Sequence, residues 1–223
     1  TENGKLYYEL SRNGKSILDK SRLGFILKED TLAGHLEITE ALHHSFSGTW
    51  EQIWGEDRIV ENNYHEMTIR VQKTSTPKRK FNVVFRLFND GFGFRYEFPE
   101  QEALKDFVIM DELTEFALTG DHKAWSIPYE AHFYEALYEA SPVSKLGWVS
   151  TPLTMETNDG LFLSIHEANL TDYAAMNLIP KEGSTTLKAN LTPWSTGEKV
   201  FMKAPGVTPW RTITVGSGLK PIV

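Results

Sequence analysis

The feature of this sequence that most constrains its fold is an alternating stretch at residues 81–98. Apolar and polar side chains alternate through it on both sides of an Asn89-Asp90-Gly91 turn. Successive side chains on a strand point to opposite faces, and Asp-Gly is a favoured turn between paired strands. The pattern therefore predicts an antiparallel hairpin with one apolar face. That face comprises Phe81, Val83, Phe85 and Leu87 on the first strand and Phe92, Phe94, Tyr96 and Phe98 on the second.

The same signals recur along the chain. Asn13-Gly14 and Asp159-Gly160 mark two further hairpins, while no long amphipathic helix stands out. We therefore expect an all-β fold: a large antiparallel β super-sandwich of two stacked sheets, with few short helices and roughly twelve to sixteen strands. Two segments remain open between helix and strand, LEITEAL at 36–42 and HFYEALYE at 132–139.

Length and composition exclude several classes of protein. The 223 residues suit one large β domain or two small ones, and 40% hydrophobic residues are typical of a globular chain. The net charge of -7 disfavours nucleic acid as a partner, because such binding depends on neutralising phosphates. There is no cysteine, so neither a disulfide nor thiolate chemistry is available. The sequence shows no signal peptide and no apolar run of about 18 residues that would span a membrane.

The sequence contains no familiar catalytic signature such as G-x-S-x-G, H-E-x-x-H or a phosphate-binding glycine loop. His43 and His44 are adjacent, so on a strand they point to opposite faces, and we interpret them as surface residues rather than metal ligands. Tryptophan side chains are candidates for stacking against sugar rings, with core packing as the alternative. These candidates are Trp50, Trp54, Trp125, Trp148, Trp194 and Trp210.

One acidic residue lies in register with an apolar row. In LFLSIHEANLTDY, at 161–173, the alternation places Leu161, Leu163, Ile165 and Glu167 on one strand face. A carboxylate in such a row is costly to bury unless an arginine, a bound proton or a metal ion compensates it. The alternative is that the strand ends at Ile165 and that Glu167 is solvated.

Three arginines are candidates for pairing with buried carboxylates. Arg86 and Arg95 face opposite to their aromatic neighbours in the hairpin, and Arg211 follows a Pro-Trp dipeptide. Each guanidinium can hold a carboxylate through two parallel hydrogen bonds, and a purely structural salt bridge is the simpler interpretation.

Several motifs together resemble a known family. In chain order they are Ser21-Arg22-Leu23-Gly24, Trp50-Glu51 with Trp54-Gly55-Glu56, Phe85 to Gly91 with Phe94-Arg95-Tyr96, Glu167-Ala168 with Asp172-Tyr173, and Thr208-Pro209-Trp210-Arg211. With these motifs, which span nearly the whole chain, the sequence resembles the N-terminal domain of glycoside hydrolase family 97. The family comprises bacterial exo-acting α-glucosidases and α-galactosidases.

The resemblance implies a domain organisation. Residues 1–223 would form a single β super-sandwich domain, followed in the full enzyme by a catalytic (β/α)₈ barrel and a small C-terminal β domain. The barrel would carry the catalytic carboxylates, so no catalytic residue is expected in this chain, and the fragment alone should be inactive. In the family, the barrel also decides mainly between glucoside and galactoside and between inversion and retention, so no substrate-binding residue is assigned here.

The resemblance also implies a metal site. A glutamate in the family's E-A motif ligates a calcium ion beside the catalytic residues, and Glu167-Ala168 matches that motif. Ca²⁺ takes six to eight oxygen ligands, so the barrel would supply most of the others. In the isolated domain, such a glutamate should look like an unpaired charge beside an apolar row.

The leading hypothesis is therefore an α-glycosidase domain that packs on its own barrel, helps to shape the oligosaccharide pocket and supplies Glu167 to calcium. The resemblance suggests a periplasmic location. The alternatives are a stand-alone carbohydrate-binding module and a purely structural domain without site residues. If the domain docks on a barrel, it should expose an apolar patch, which we expect near Pro209-Trp210 or Tyr173.

Overall fold

The computed structural model describes residues 1–130 and 135–218. These residues form strands β1 to β22 and one short 3₁₀ helix, which confirms the all-β prediction. The strands outnumber those expected because many contain only two to four residues. Their bounds are β1 Leu6–Arg12, β2 Lys15–Leu23, β3 Phe25–Leu27, β4 Thr31–Leu32, β5 Leu36–Phe46, β6 Thr49–Glu51, β7 Ile59–Glu61, β8 Tyr64–Lys73, β9 Lys80–Leu87, β10 Gly91–Phe98, β11 Asp106–Glu112, β12 Glu115–Leu118, β13 Lys123–Ser126, β14 Glu139–Pro142, β15 Val149–Ser150, β16 Leu153–Glu156, β17 Phe162–Ala168, β18 Met176–Pro180, β19 Thr186–Leu191, β20 Val200–Lys203, β21 Gly206–Val207 and β22 Trp210–Gly216, with the 3₁₀ helix at Val143–Lys145.

Two large sheets form the sandwich. The 10-stranded sheet has the order β14-β13-β16-β17-β22-β10-β9-β8-β5, with β21 beside β10, and the 6-stranded sheet has the order β1-β2-β12-β19-β18-β15. A 4-stranded sheet, β20-β11-β3-β4, and the β6–β7 pair complete the described part. One apolar core joins the two large sheets: the ring of Tyr8 on β1 lies 5.1 Å from that of Phe94 on β10.

The predicted hairpin at residues 81–98 is present as β9 and β10, with Phe85 opposite Phe94. The expected apolar face is buried along nearly its whole length. Leu87 is the exception: it is exposed where β9 ends beside the turn. The Asp159-Gly160 hairpin is also confirmed, as β16 paired with β17.

The ambiguous segment 36–42 belongs to β5, which pairs with β8 at one edge of the 10-stranded sheet. Apart from Leu36, every side chain of β5 is exposed. The register of β5 with β8 shifts between Ile38 and Glu40, and neither face of the strand is continuously buried, so the period-2 apolar pattern in this segment is weak. In the other ambiguous segment, residues 132–134 lie outside the described residues, and Glu139 begins β14.

Gly24 marks the point where the chain passes from the 6-stranded sheet into the 4-stranded sheet, between β2 and β3. Its φ is +140°, and a Cβ at this position would lie 2.5 Å from the carbonyl oxygen of Leu32. Only glycine, which has no Cβ, can adopt this φ and lie this close to the carbonyl of Leu32 without strain.

Among the described residues, no helix has the length and apolar character needed to cross a bilayer.

Candidate functional site

Glu167 lies inside the sandwich. β17 runs past Ile165 to Ala168, so Leu163, Ile165 and Glu167 share the core-facing side as the alternation predicts. The residue is only 9% exposed. The alternative of a solvated Glu167 after a strand that ends at Ile165 is therefore wrong.

Arg211 compensates this carboxylate. Glu167 on β17 and Arg211 on β22 are direct cross-strand partners, and Nη1 of Arg211 donates to Oε2 of Glu167 at 2.7 Å. The other oxygen, Oε1, accepts the backbone N–H of Met176 at 3.0 Å. The expectation that Glu167 would look unpaired in the isolated domain is wrong, because Arg211 alternates inward with Ile213 and Val215.

Arg211 also holds a second carboxylate, that of Glu112 on β11. Its Nε and Nη2 donate to Oε1 and Oε2 of Glu112 at 2.9 and 2.6 Å, so the bidentate pairing anticipated for one of the arginines is present. Thr114 donates to Oε1 at 2.8 Å, and the hydroxyl of Tyr173 donates to Oε2 at 3.1 Å. Glu112 therefore accepts four hydrogen bonds, two on each oxygen.

Glu112, Arg211 and Glu167 form what we call the ionic cluster, which joins three sheets. Arg211 and Glu167 belong to the 10-stranded sheet and Glu112 to the 4-stranded sheet, while the N–H of Met176 comes from β18 of the 6-stranded sheet. The side chains of Arg211 and Glu112 are fully buried. Two carboxylates share one guanidinium, so within the cluster one negative charge is left uncompensated when both are ionised.

The two carboxylates respond differently to this environment. Burial raises the pKa of Glu167 above its ordinary value of 4.5, against the lowering effect of Arg211. Burial also disfavours the ionised form of Glu112. The positive charge of Arg211, together with the hydrogen bonds that Arg211, Thr114 and Tyr173 donate, outweighs this effect and brings the pKa of Glu112 below 4.5. Glu112 is thus the counter-ion that the cluster favours for Arg211, and Glu167 is the carboxylate whose ionisation burial disfavours.

Glu167 is also the carboxylate with acceptor capacity left. A carboxylate offers about four lone-pair sites. All of those of Glu112 are occupied, whereas Glu167 accepts one hydrogen bond on each oxygen. Residues 1–130 and 135–218 contain no group of three or more His, Cys, Asp or Glu side chains placed to hold a metal. This part of the chain can therefore offer a cation one carboxylate rather than a complete site.

Sequence reasoning missed Glu112. Simple alternation from Phe107 and Ile109 would have turned Asp111 inward, but the pairing of β11 with β3 is irregular between Ile109 and Asp111. The irregularity shifts the alternation by one residue and buries Glu112 instead. We find no signal in the sequence that locates it.

An open cleft of about 710 Å³ adjoins the ionic cluster through Tyr173. Trp194 and Phe201 stand on its rim, 63% and 58% exposed, with their ring centres 6.2 Å apart. The side chains of Thr192 and Lys199 also line the cleft. The two rings meet edge to face at 70°, so one exposed ring face, not both together, is available to stack on a sugar ring.

The other tryptophans fall into two groups. Trp50, Trp54 and Trp148 are exposed, while Trp125 and Trp210 are half-buried. Trp210 lies between two guanidinium groups on the outer face of the 10-stranded sheet, with Arg86 and Arg95 each 4.8 Å from its ring centre. Arg86 and Arg95 pair with the partly exposed carboxylates of Glu66 and Glu97, not with buried ones.

The expected apolar patch is not at Trp210 or Tyr173, since both are half-buried. Among the described residues, the most exposed large apolar side chains are Ile53 at 93%, Leu137 at 88% and Trp54 at 87%. Ile53 and Trp54 lie in the turn between β6 and β7, a hairpin that extends from the end of the β5–β8 pair. His43 and His44 are exposed on β5, as predicted.

Known proteins resemble this chain over its whole length. An enzyme of glycoside hydrolase family 97 from Pseudoalteromonas sp. strain K8, solved in complex with acarbose, is 36% identical with a TM-score of 0.94. That match covers 99% of this chain and 34% of the enzyme. A β-arabinopyranosidase crystal structure has the same fold, with 24% identity, a TM-score of 0.88 and coverage of 99% and 38%.

Sequence comparisons agree. A protein named retaining alpha-galactosidase from Bacteroides thetaiotaomicron is 25% identical over 206 residues, which cover 85% of this chain and 30% of that protein. A probable retaining alpha-galactosidase from Streptomyces bingchenggensis is 26% identical, with coverage of 96% and 32%. The chain thus spans about one third of the length of these relatives. The sequence profile described as "Glycosyl-hydrolase 97 N-terminal" matches residues 1–223, so the chain belongs to the family of glycoside hydrolase 97 N-terminal domains.

Proposed function

We propose that residues 1–223 are the N-terminal domain of an exo-acting α-glycosidase, an α-glucosidase or α-galactosidase, that has a catalytic (β/α)₈ barrel and a C-terminal β domain after it. The domain packs on the barrel, forms one wall of the sugar pocket and supplies one calcium ligand. The names of the relatives support this proposal: two are alpha-galactosidases, and the Pseudoalteromonas enzyme was solved with acarbose and with panose. The periplasm is the location we propose on the family resemblance, and cell fractionation would test it.

The observation that carries the calcium role is the unequal treatment of the two buried carboxylates. Glu112 is saturated by four donors, whereas Glu167 accepts one hydrogen bond on each oxygen and so keeps acceptor capacity on both. Carboxylate oxygen is the ligand that Ca²⁺ prefers, and metal-ligating carboxylates commonly accept hydrogen bonds from neighbouring groups as well. Glu167 therefore fits calcium as one ligand of a shared site.

When bound, a calcium ion would supply positive charge and a fixed point for oxygen ligands. This chain would contribute the Glu167 carboxylate, already held at both oxygens. The remaining ligands would come from the barrel, because one glutamate cannot complete a coordination shell of six to eight oxygens.

The cleft beside Tyr173 is our candidate for the pocket wall. It opens next to the ionic cluster, and Trp194 and Phe201 present exposed rings at its edge. Sugar rings stack on such ring faces, and Thr192 and Lys199 are among the residues that line the cleft.

The decisive experiment is Glu167→Gln in the full-length polypeptide. Calorimetric titration of the chelator-treated protein should show that the variant loses calcium affinity by roughly 10-fold or more, since a ligand carboxylate becomes a neutral amide. Hydrolysis of p-nitrophenyl α-glucoside and α-galactoside should fall in parallel. Glu66→Gln is the matched control, because Glu66 pairs with Arg86 on the opposite face of the same sheet. Unchanged calcium affinity and turnover in Glu167→Gln would instead support a purely structural domain.

The exposed tryptophans favour a second candidate function, a stand-alone carbohydrate-binding module. Trp54 and Trp194 are exposed enough to stack on sugars without any other domain. Calorimetry of the isolated chain with maltooligosaccharides and with melibiose distinguishes the two proposals. Tight binding by the chain alone supports the module, and negligible binding supports a domain whose cleft is completed by the barrel.

A further inference from the structure

We propose that Arg211, Glu112 and Tyr173 are positioning residues that hold the Glu167 carboxylate in the orientation that binds the cation. This inference rests on the calcium role proposed above and assigns the supporting residues of that same site. The hydrogen bonds of the ionic cluster support this inference, because Glu112 holds Arg211 and Arg211 in turn holds Glu167.

Arg211 is held by its contacts and by burial. Two of its nitrogens grip Glu112 in parallel, at 2.9 and 2.6 Å, and its side chain is fully buried. The planar guanidinium therefore directs its third nitrogen, Nη1, in a fixed direction, and Oε2 of Glu167 lies 2.7 Å away along it. Lysine, whose three N–H donors share one nitrogen at the end of a flexible stem, cannot reproduce this planar geometry.

Glu112 is itself anchored independently of Glu167. Thr114 and Tyr173 donate to its two oxygens, and the hydroxyl of Thr114 is in turn 2.7 Å from that of Tyr96. Tyr173 also covers the cluster from the cleft side, with the guanidinium carbon of Arg211 5.6 Å from its ring centre. Through Arg211, these contacts determine where Oε2 of Glu167 can lie.

The second oxygen of Glu167 is fixed from the opposite sheet by the N–H of Met176. Held at both ends, the carboxylate leaves one acceptor direction on each oxygen in a set geometry. Hydrogen-bonding neighbours of metal ligands commonly account for 10–100-fold in metal affinity, so the effect should be measurable.

The test is calcium titration of chelator-treated full-length protein carrying Arg211→Lys, Tyr173→Phe or Glu167→Gln, with the melting temperature of each recorded in EDTA. We expect Arg211→Lys to weaken calcium binding by roughly 10–100-fold and Tyr173→Phe by roughly 2–10-fold. Arg86→Lys and Tyr8→Phe are the matched controls. Arg86 pairs with Glu66 outside the cluster, and the hydroxyl of Tyr8 donates to the backbone carbonyl of Glu115, also outside it. Both controls should bind calcium like the unaltered protein.

The outcomes separate the two proposals. If Glu167→Gln weakens calcium binding but Arg211→Lys and Tyr173→Phe only lower the melting temperature in EDTA, the positioning role is wrong and the calcium ligand stands. If Glu167→Gln itself binds calcium normally, the proposed function fails first. Should Arg211→Lys not fold, Tyr173→Phe, which removes a single hydroxyl, decides the question alone.

Discussion

At the scale of single residues, the unusual feature is a fully buried arginine that serves two acids. Arg211 neutralises Glu112 through a bidentate contact and gives its last free nitrogen to Glu167. Replacing Glu112 is costly because buried hydrogen-bond donors, two of them on Arg211, lose their acceptors. The stability of the domain should therefore depend strongly on Glu112.

Glu112→Gln should destabilise the chain by about 1–3 kcal/mol at neutral pH: Glu167 remains as a counter-charge of Arg211, but the amide nitrogen of glutamine cannot accept the hydrogen bonds that one oxygen of Glu112 accepts. Urea unfolding followed by tryptophan fluorescence would measure this. Glu66→Gln is the control, because it breaks a partly exposed pair with Arg86 that should contribute less than about 1 kcal/mol. Equal losses in the two variants would contradict the structural role of the ionic cluster.

Because of Glu112, we also expect the fold to lose stability in acid. The pKa of Glu112 is lower in the folded chain than its ordinary value of 4.5, so its contribution to the unfolding free energy is present above pH 4.5. That contribution is lost as the pH falls through the lowered folded pKa. Glu167, whose pKa is raised, acts in the opposite direction: its contribution is present below pH 4.5 and is lost as the pH rises. Unfolding free energies from pH 7 to pH 3 should fall more steeply for the natural chain than for Glu112→Gln, and parallel curves would refute the assignment.

At the scale of elements, the β9–β10 hairpin and the corner at Gly24 organise the sandwich. The hairpin supplies the central strands of the 10-stranded sheet and a row of buried aromatic rings. Gly24 lets the chain leave one sheet and enter another within a single residue. Substitutions in the two features should therefore lower stability for different reasons, a cavity in the core for the hairpin and backbone strain for Gly24.

Phe94→Ala should lower the unfolding free energy by about 3–5 kcal/mol, because it opens a cavity between the two large sheets where Phe94 is fully buried. Phe88→Ala, at the tip of the same hairpin, provides the comparison. Phe88 is 38% exposed, so this substitution should lower the unfolding free energy far less. Chemical unfolding of both variants tests the prediction, and similar losses would show that Phe94 is not part of the core.

Gly24→Ala should destabilise the chain by about 1–3 kcal/mol, because alanine strains a φ of +140° and its Cβ would collide with the carbonyl of Leu32. Gly147→Ala is the control, since a Cβ there meets nothing within 4 Å. The shift in melting temperature by calorimetry would decide, and a neutral Gly24→Ala would disprove the strained corner.

At the scale of the whole molecule, the chain spans about one third of its relatives. If the catalytic carboxylates belong to the barrel, the purified 223-residue chain should release no p-nitrophenol from α-glucoside or α-galactoside substrates, with or without calcium. The full-length polypeptide is the positive control in the same assay. Measurable turnover by the chain alone would overturn the proposed division of labour.

The sequence by itself determined the fold class, the hairpins and the face of β17 that carries Glu167, because alternation and turn residues act over a few positions. It also carried the motifs by which the family was identified. Tertiary structure decided the partners of Glu167. Glu112 reaches the cluster through a register irregularity in β11, Met176 arrives from the opposite sheet, and Arg211 is 44 positions away in sequence from the carboxylate it meets. The contacts of Glu112 and Met176 arise from how separate sheets are stacked, and that of Arg211 from which strands pair within one sheet; no local pattern of side chains encodes either.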